Sequence, residues 1–164
     1  DLHPEAVVIL GGTNDLARGV SLTAIENNYQ VMADLASLYR IKVIFASVLP
    51  VSDYHKDDNA AYEQTVKHPT LYINALNEWL EALCTARRYT YLDYFSALID
   101  KKGLLQADLS DDGLHPNPKG YRIMAPIALA AIQKTVRPAP PPAAPVKTAA
   151  KTATKPVRGR GTSK

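Results

Sequence analysis

A single cysteine, Cys84, is too little for an internal disulfide or a cysteine-based metal cluster. It lies on an apolar helical face and reads as a small buried hydrophobe. No apolar run approaches the roughly 20 residues that a membrane-spanning helix needs. Acids are missing from one end of the chain: from Pro138 onward there are six basic residues and no Asp or Glu. Those six, out of 19 basic residues, create the formal charge of +3; residues 1–137 keep 13 basic against 16 acidic side chains. That mildly acidic part lacks the basic footprint of a nucleic-acid binder. The first residue is Asp1 and no signal-like segment precedes the first apolar run, so no localisation is assigned.

At 164 residues the chain holds one ordinary domain and a tail. The composition changes at Pro138, after which half of the twelve prolines lie among Ala, Lys, Thr and Gly. Beyond Val146 and Val157 that stretch has no large aliphatic or aromatic side chain, so burial cannot offset its ordering entropy. The expectation is a domain over 1–137 and a disordered, basic Ala/Pro/Lys-rich tail over 138–164. Weak contact of that tail with an anionic partner is the functional alternative to plain solvation.

Within the domain, short apolar runs alternate with helical patterns. Ala6–Leu10 is β-branched and continuous, as in a strand buried on both faces of a parallel sheet. Thr23-Ala24-Ile25-Glu26 fits a capping box. The helix it opens has Leu22, Ile25, Tyr29, Met32 and Leu35/Ala36 on one face. Ile41–Leu49 is the second strand, stopped by Pro50, and Ser47 near its end reads as a sheet or turn residue. Strand, helix and strand form a right-handed parallel crossover. Val51–Lys67 is a polar loop. Its Asp53, His55, Asp57 and Asp58 match no metal-binding spacing, so no metal site is assigned. A helix over Thr70–Ala86 shows Tyr72, Leu76, Trp79/Leu80 and Leu83 on one face. A strand over Tyr89–Leu92, a helical turn over Phe95–Ile99 and a last helix from Pro118 to about Val136 follow. That last helix presents Tyr121, Met124/Ala125, Ala128 and Ala131/Ile132, and has Pro126 inside it.

Two stretches carry chemistry. Asp112-Gly113-Leu114-His115 sets a carboxylate three residues before an imidazole, in a Gly/Pro-punctuated loop that enters the last helix. Asn117 suits the cap and Pro118 the first helical position. An acid so placed can orient the ring through one nitrogen and leave the other free to take a proton. The alternative is an ordinary helix-entry loop. The second stretch, Gly11-Gly12-Thr13-Asn14-Asp15, follows the first strand, where ligands bind in parallel α/β sheets. There Asn14 can offer a side-chain amide to a ligand, or simply satisfy its own turn.

Taken together, Gly12-Thr13-Asn14-Asp15 and Asp112-x-x-His115, about a hundred residues apart and each on the right element, resemble the G-x-N-D and D-x-x-H blocks of the GDSL/SGNH hydrolases. The resemblance covers about residues 4–136. It implies a three-layer α/β/α sandwich around a flavodoxin-like parallel sheet, and hydrolysis of acyl or acetyl esters of carbohydrates or lipids without metal or cofactor. By the same resemblance, His115 is general base and then acid, Asp112 holds its tautomer, and Asn14 donates to the oxyanion. Gly12, Thr13 and Asp15 complete the site loop.

One part of the family pattern is missing. No Gly-Asp-Ser occurs anywhere, so the chain supplies no nucleophile by that motif. The three strands correspond to the family's last three, leaving the N-terminal strands without a counterpart. The expectation is the C-terminal portion of a longer hydrolase, inactive alone. A non-catalytic binding module on the same fold is the competing reading.

Overall fold

Three short parallel strands carry the architecture, and the helices are sorted by which face of them they cover. The computed structural model describes residues 3–136; the expected tail lies outside the described residues. In chain order the elements are β1 (Ala6–Ile9), α1 (Thr13–Ala17), α2 (Leu22–Leu38), β2 (Lys42–Ala46), α3 (Thr70–Arg87), β3 (Thr90–Leu92), α4 (Phe95–Leu98) and α5 (Pro118–Val136). Single 3-10 turns lie at Ala60–Tyr62 and Ala107–Leu109. The sheet order is β1-β2-β3, with Val7 opposite Val43 and Phe45 opposite Tyr91.

Side chains alternate across β2, the central strand, and so separate two cores. Val43 and Phe45 join Ile25, Tyr29, Ile73, Leu76 and Leu80 from α2 and α3. Ile44 and Ala46 join Leu92, Leu98, Leu109 and Met124 beneath α5. This is a parallel sheet flanked by helices on both faces, the α/β class that the sequence predicts.

Several local expectations shift. Ser21, not Thr23, caps α2, and its Oγ accepts the Ala24 N–H. The buried face of α2 is Ile25, Tyr29, Ala33 and Ala36 rather than one including Met32 and Leu35, which stay exposed. In α3 the buried set is Ile73, Leu76, Asn77, Leu80 and Cys84, while Tyr72 is exposed. Tyr121 of α5 is exposed as well. Strand β1 is half-buried, not buried on both faces.

Asn77 moves inward because its amide pairs with backbone. Its Oδ1 accepts the Val48 N–H at 2.7 Å and its Nδ2 donates to the Val48 carbonyl at 3.0 Å. This stitches α3 to the chain just past β2. Asn77→Ala strands both backbone groups in the core, and each such orphan costs about 1–3 kcal/mol. We expect the denaturant midpoint to fall by the equivalent of about 2–4 kcal/mol. An unchanged midpoint would show that water replaces both bonds. Ser47 is likewise structural: its Oγ accepts the N–H groups of Tyr94 and Phe95 at 2.9 and 2.8 Å.

Candidate functional site

The loop before α5 is built around one carboxylate. Ser110 and Pro116 close it as an isolated antiparallel bridge. Inside it, Asp112 Oδ1 accepts the backbone N–H of Leu114 and of His115, each at 2.8 Å, and the Ser110 hydroxyl at 3.1 Å. Its other oxygen, Oδ2, faces His115 Nδ1 at 2.7 Å. Burial alone would raise the Asp112 pKa. The hydrogen bonds from His115, Leu114 and Ser110 outweigh it and hold the carboxyl well below the usual carboxylate range. An ionised Asp112 fixes the proton of a neutral His115 on Nδ1, leaving Nε2 as the free basic nitrogen. The His115 side chain is 75 % exposed and that of Asp112 27 %, so the ring is presented while its partner is held behind it. Asn117 then caps α5 as expected, its Oδ1 accepting the N–H groups of Lys119 and Gly120.

The loop after β2 clamps this arrangement from the side. The buried Gln64 side chain donates to the Asp112 carbonyl at 3.1 Å, and Ser52 N–H donates to the Gly113 carbonyl at 2.9 Å. Gly113 has φ +77°, and a Cβ built on it would stand 2.1 Å from the Ser52 carbonyl oxygen. Only glycine fits there. Asp53 holds the clamp's own shape by accepting the N–H of Gln64 and Thr65 and the Thr65 hydroxyl. His55 Nε2 meets the Ala107 carbonyl at 2.9 Å. Asp53 therefore serves the loop itself, while His55 ties it to the Ala107–Leu109 turn. His68 is buried, its Nδ1 3.1 Å from the Gln64 carbonyl; burial first, then the charges of Lys67 and His115, lower its pKa.

The stretch after β1 is helical rather than the plain loop expected. Gly12, at φ +90°, turns the chain so that Thr13 starts α1, and a Cβ there would reach 3.0 Å from Leu76 Cδ2. Asn14 is thereby exposed on the first turn of α1. Gly12, Thr13, Asn14 and Asp15 line a cleft of about 490 Å³ together with Arg18, Leu49, Leu114, His115 and Tyr121. The structure thus brings both predicted stretches to one cleft at the carboxyl end of β1, with Asp112 behind His115. Arg18, Ser110 and Gln64 are additions. Arg18 reaches the cleft only because α1 makes a helical turn. Ser110 sits two residues from Asp112 but carries no motif, and the Gln64 contact spans 48 residues.

The cleft thus lies at the strand ends of a parallel sheet, with a carboxylate–imidazole pair on one wall and an Asn-bearing turn on the other. Residues 1–123 match the model of the GDSL-like Lipase/Acylhydrolase family, and the chain belongs to that family. A Bacteroides fragilis protein described as an acylhydrolase is similar at 29 % identity and TM-score 0.72, over 82 % of this chain and 64 % of that one. A GDSL-like lipase from Bacteroides thetaiotaomicron is similar at 31 % identity and TM-score 0.69, over 80 % and 63 %. An N-acylneuraminate cytidylyltransferase from Streptococcus agalactiae is 30 % identical over 111 residues, which are 68 % of this chain and 24 % of that protein. The chain therefore spans just under two thirds of these solved relatives and about a quarter of the curated one. No helix among the described residues is long and apolar enough to cross a membrane.

Proposed function

We propose that this chain supplies the acid–base and oxyanion half of a serine ester hydrolase site. The reading rests on one observation: His115 Nδ1 lies 2.7 Å from an ionised Asp112, with the ring exposed in the cleft that Asn14 also lines. In that geometry His115 Nε2 takes the proton of an attacking hydroxyl. Asp112 keeps the ring in the competent tautomer and stabilises the imidazolium. The Asn14 amide donates to the oxyanion as the ester carbonyl becomes tetrahedral. His115 then returns the proton to the leaving alkoxide, and a water repeats the sequence to release the acid. Acyl and acetyl esters of carbohydrates or lipids are the substrate class.

The attacking hydroxyl comes from outside residues 3–136. No Gly-Asp-Ser occurs in the chain. None of the six serines among the described residues lines the cleft: Ser47 and Ser110 are buried with their hydroxyls engaged, Ser52 is fully buried, Ser21 caps α2, Ser37 lies in the last turn of α2 and Ser96 in α4. The 164-residue chain alone is accordingly expected to show no serine-dependent turnover. Activity is to be assayed with p-nitrophenyl acetate after adding a segment that supplies the hydroxyl, such as the part of the Bacteroides fragilis acylhydrolase outside the match. In that completed enzyme Asn14→Ala should lower kcat by about 10²–10³ with little change in KM, the usual consequence of losing one oxyanion donor. An unchanged kcat would remove Asn14 from the oxyanion hole.

A further inference from the structure

The amino ends of the strands, at the pole opposite the cleft, carry a second pocket of about 650 Å³. Lys42 opens β2 and Thr90 opens β3, and both line it beside the last turns of α3 and α5. Its charged lining is entirely basic: Lys42, Arg87, Arg88 and Lys134. That runs against the domain as a whole, where residues 1–137 hold 13 basic and 16 acidic side chains. A lining of one sign in a domain of opposite net charge is a local field that gathers counter-ions.

Two of the four cations are already compensated. Lys42 Nζ lies 2.8 Å from Glu5 Oε1, and the Arg87 guanidinium 3.7 Å from Asp34 Oδ1. Arg88 and Lys134 pair with no carboxylate among the described residues. A cation in the last turn of a helix offsets the helix dipole, which accounts for Arg87 and Lys134 structurally. It does not account for the backbone of Arg88. That residue ends α3 at φ +59°, a left-handed position where glycine is at ease and a side chain is strained. Arg40, next to Ile41 of the same pocket, does likewise at φ +57° before β2. Residues are held in such positions where they serve a site. The two threonines brace the pocket: the Thr135 hydroxyl donates to the Ala131 carbonyl at 2.8 Å and accepts from Thr90 Oγ1 at 2.7 Å. Both of those hydrogens are committed, so the cationic side chains remain as donors.

We propose that this pocket binds a phosphate monoester dianion through Arg88 and Lys134. The two uncompensated cations match the charge of about −2 that such a group carries near neutral pH. Arg88 brings a planar fork that suits two phosphate oxygens, and Lys134 brings a point charge. A carboxylate would leave one cation over. Duplex nucleic acid presents singly charged diesters, and both a duplex and a bilayer are too broad to enter a concave pocket of this size. The group belongs either to a small phosphate ester or to the end of a linear phosphate polymer. Residues 138–164, which follow Lys134 and Thr135 in the chain, add six basic side chains and no acid. Phosphates beyond the first would meet that charge, whereas a lone phosphate would not. The pocket lies at the far end of the strands from His115 and does not rest on the hydrolase reading.

The test titrates the 164-residue chain with inorganic phosphate and with linear polyphosphate, followed by calorimetry and by ¹H–¹⁵N spectra. Phosphate should shift the backbone amides of Arg88, Thr90 and Thr135. Arg88→Gly and Lys134→Gln should each weaken its binding about tenfold, the loss of one charge-assisted contact. Arg88→Gly should also leave the unfolding midpoint unchanged or raise it, because glycine relieves the left-handed backbone. An arginine kept only for structure would not weaken binding while sparing the fold. Arg122→Gln, exposed near the start of α5, should change neither reading. Tighter binding of polyphosphate that is lost on deleting residues 138–164 upholds the site with a polymer as its ligand; equal binding of the two probes upholds it with a small phosphate ester. Three results would overturn the proposal. They are no shift at the pocket with either probe, phosphate binding insensitive to both Arg88→Gly and Lys134→Gln, and duplex DNA or phosphatidylglycerol vesicles held through those same residues as tightly as polyphosphate.

Discussion

His115→Ala in the completed enzyme should lower kcat for p-nitrophenyl acetate by about ten-thousandfold, the scale set by losing the base of a serine relay. The size follows from the role. Without an imidazole, the attacking hydroxyl keeps its proton and the leaving alkoxide departs unprotonated. The cleft lining holds no second imidazole among the described residues, and its other charged side chains are Asp15 and Arg18. KM should change little, because the ring acts on the nucleophile rather than on the bound acyl group. Asp112→Asn should fall nearly as far, since an amide oxygen in place of Oδ2 neither stabilises the imidazolium nor fixes the tautomer by charge. The measurement is steady-state kinetics on purified complex, with circular dichroism to show that the variants remain folded. A loss of less than tenfold would assign the base elsewhere.

Gly113→Ala should be among the most destabilising single changes in the domain. The residue sits at φ +77°, where an alanine is strained, and its Cβ would stand 2.1 Å from the Ser52 carbonyl oxygen. That oxygen is backbone, and its residue also donates from Ser52 N–H to Gly113, so relieving the clash breaks the clamp. Strain and overpacking together cost about 2–5 kcal/mol. A drop in Tm of about ten degrees or more is the expected reading for a domain of this size. Because the clamp carries the Asp112 carbonyl through Gln64, any residual folded protein should also lose the His115–Asp112 geometry. A Tm within two or three degrees of the parent would mean that the two loops separate at little cost.

What could be read ahead of the structure was what is local. Asp112 and His115 are three residues apart on a loop whose glycine and prolines leave few conformations, so their pairing needed no tertiary information. Asn117 and Pro118 marked the start of α5 for the same reason. The joint presence of Gly12–Asp15 at a strand end and Asp112–His115 before a helix placed both at one cleft. The faces of α2 and α3 were harder. Met32 and Leu35 outweigh Ala33 and Ala36 in any hydrophobicity count, yet the small residues are buried in the core and the large ones stay exposed. Asn77 is buried because it pairs with Val48 across 29 residues, and no periodicity announces that. The Gln64 clamp is equally remote from its target in sequence.

The central claim is that His115 is held as a base by Asp112 in the chain as it stands, before any nucleophile arrives. Long-range ¹H–¹⁵N correlation of the histidine rings tests it directly, recorded where the ring shifts have reached their high-pH plateau. The expected spectrum shows the neutral His115 ring protonated on Nδ1 with Nε2 bare, and a mixed or reversed tautomer in Asp112→Asn. A His115 ring protonated on Nε2 with Asp112 in place would contradict the account.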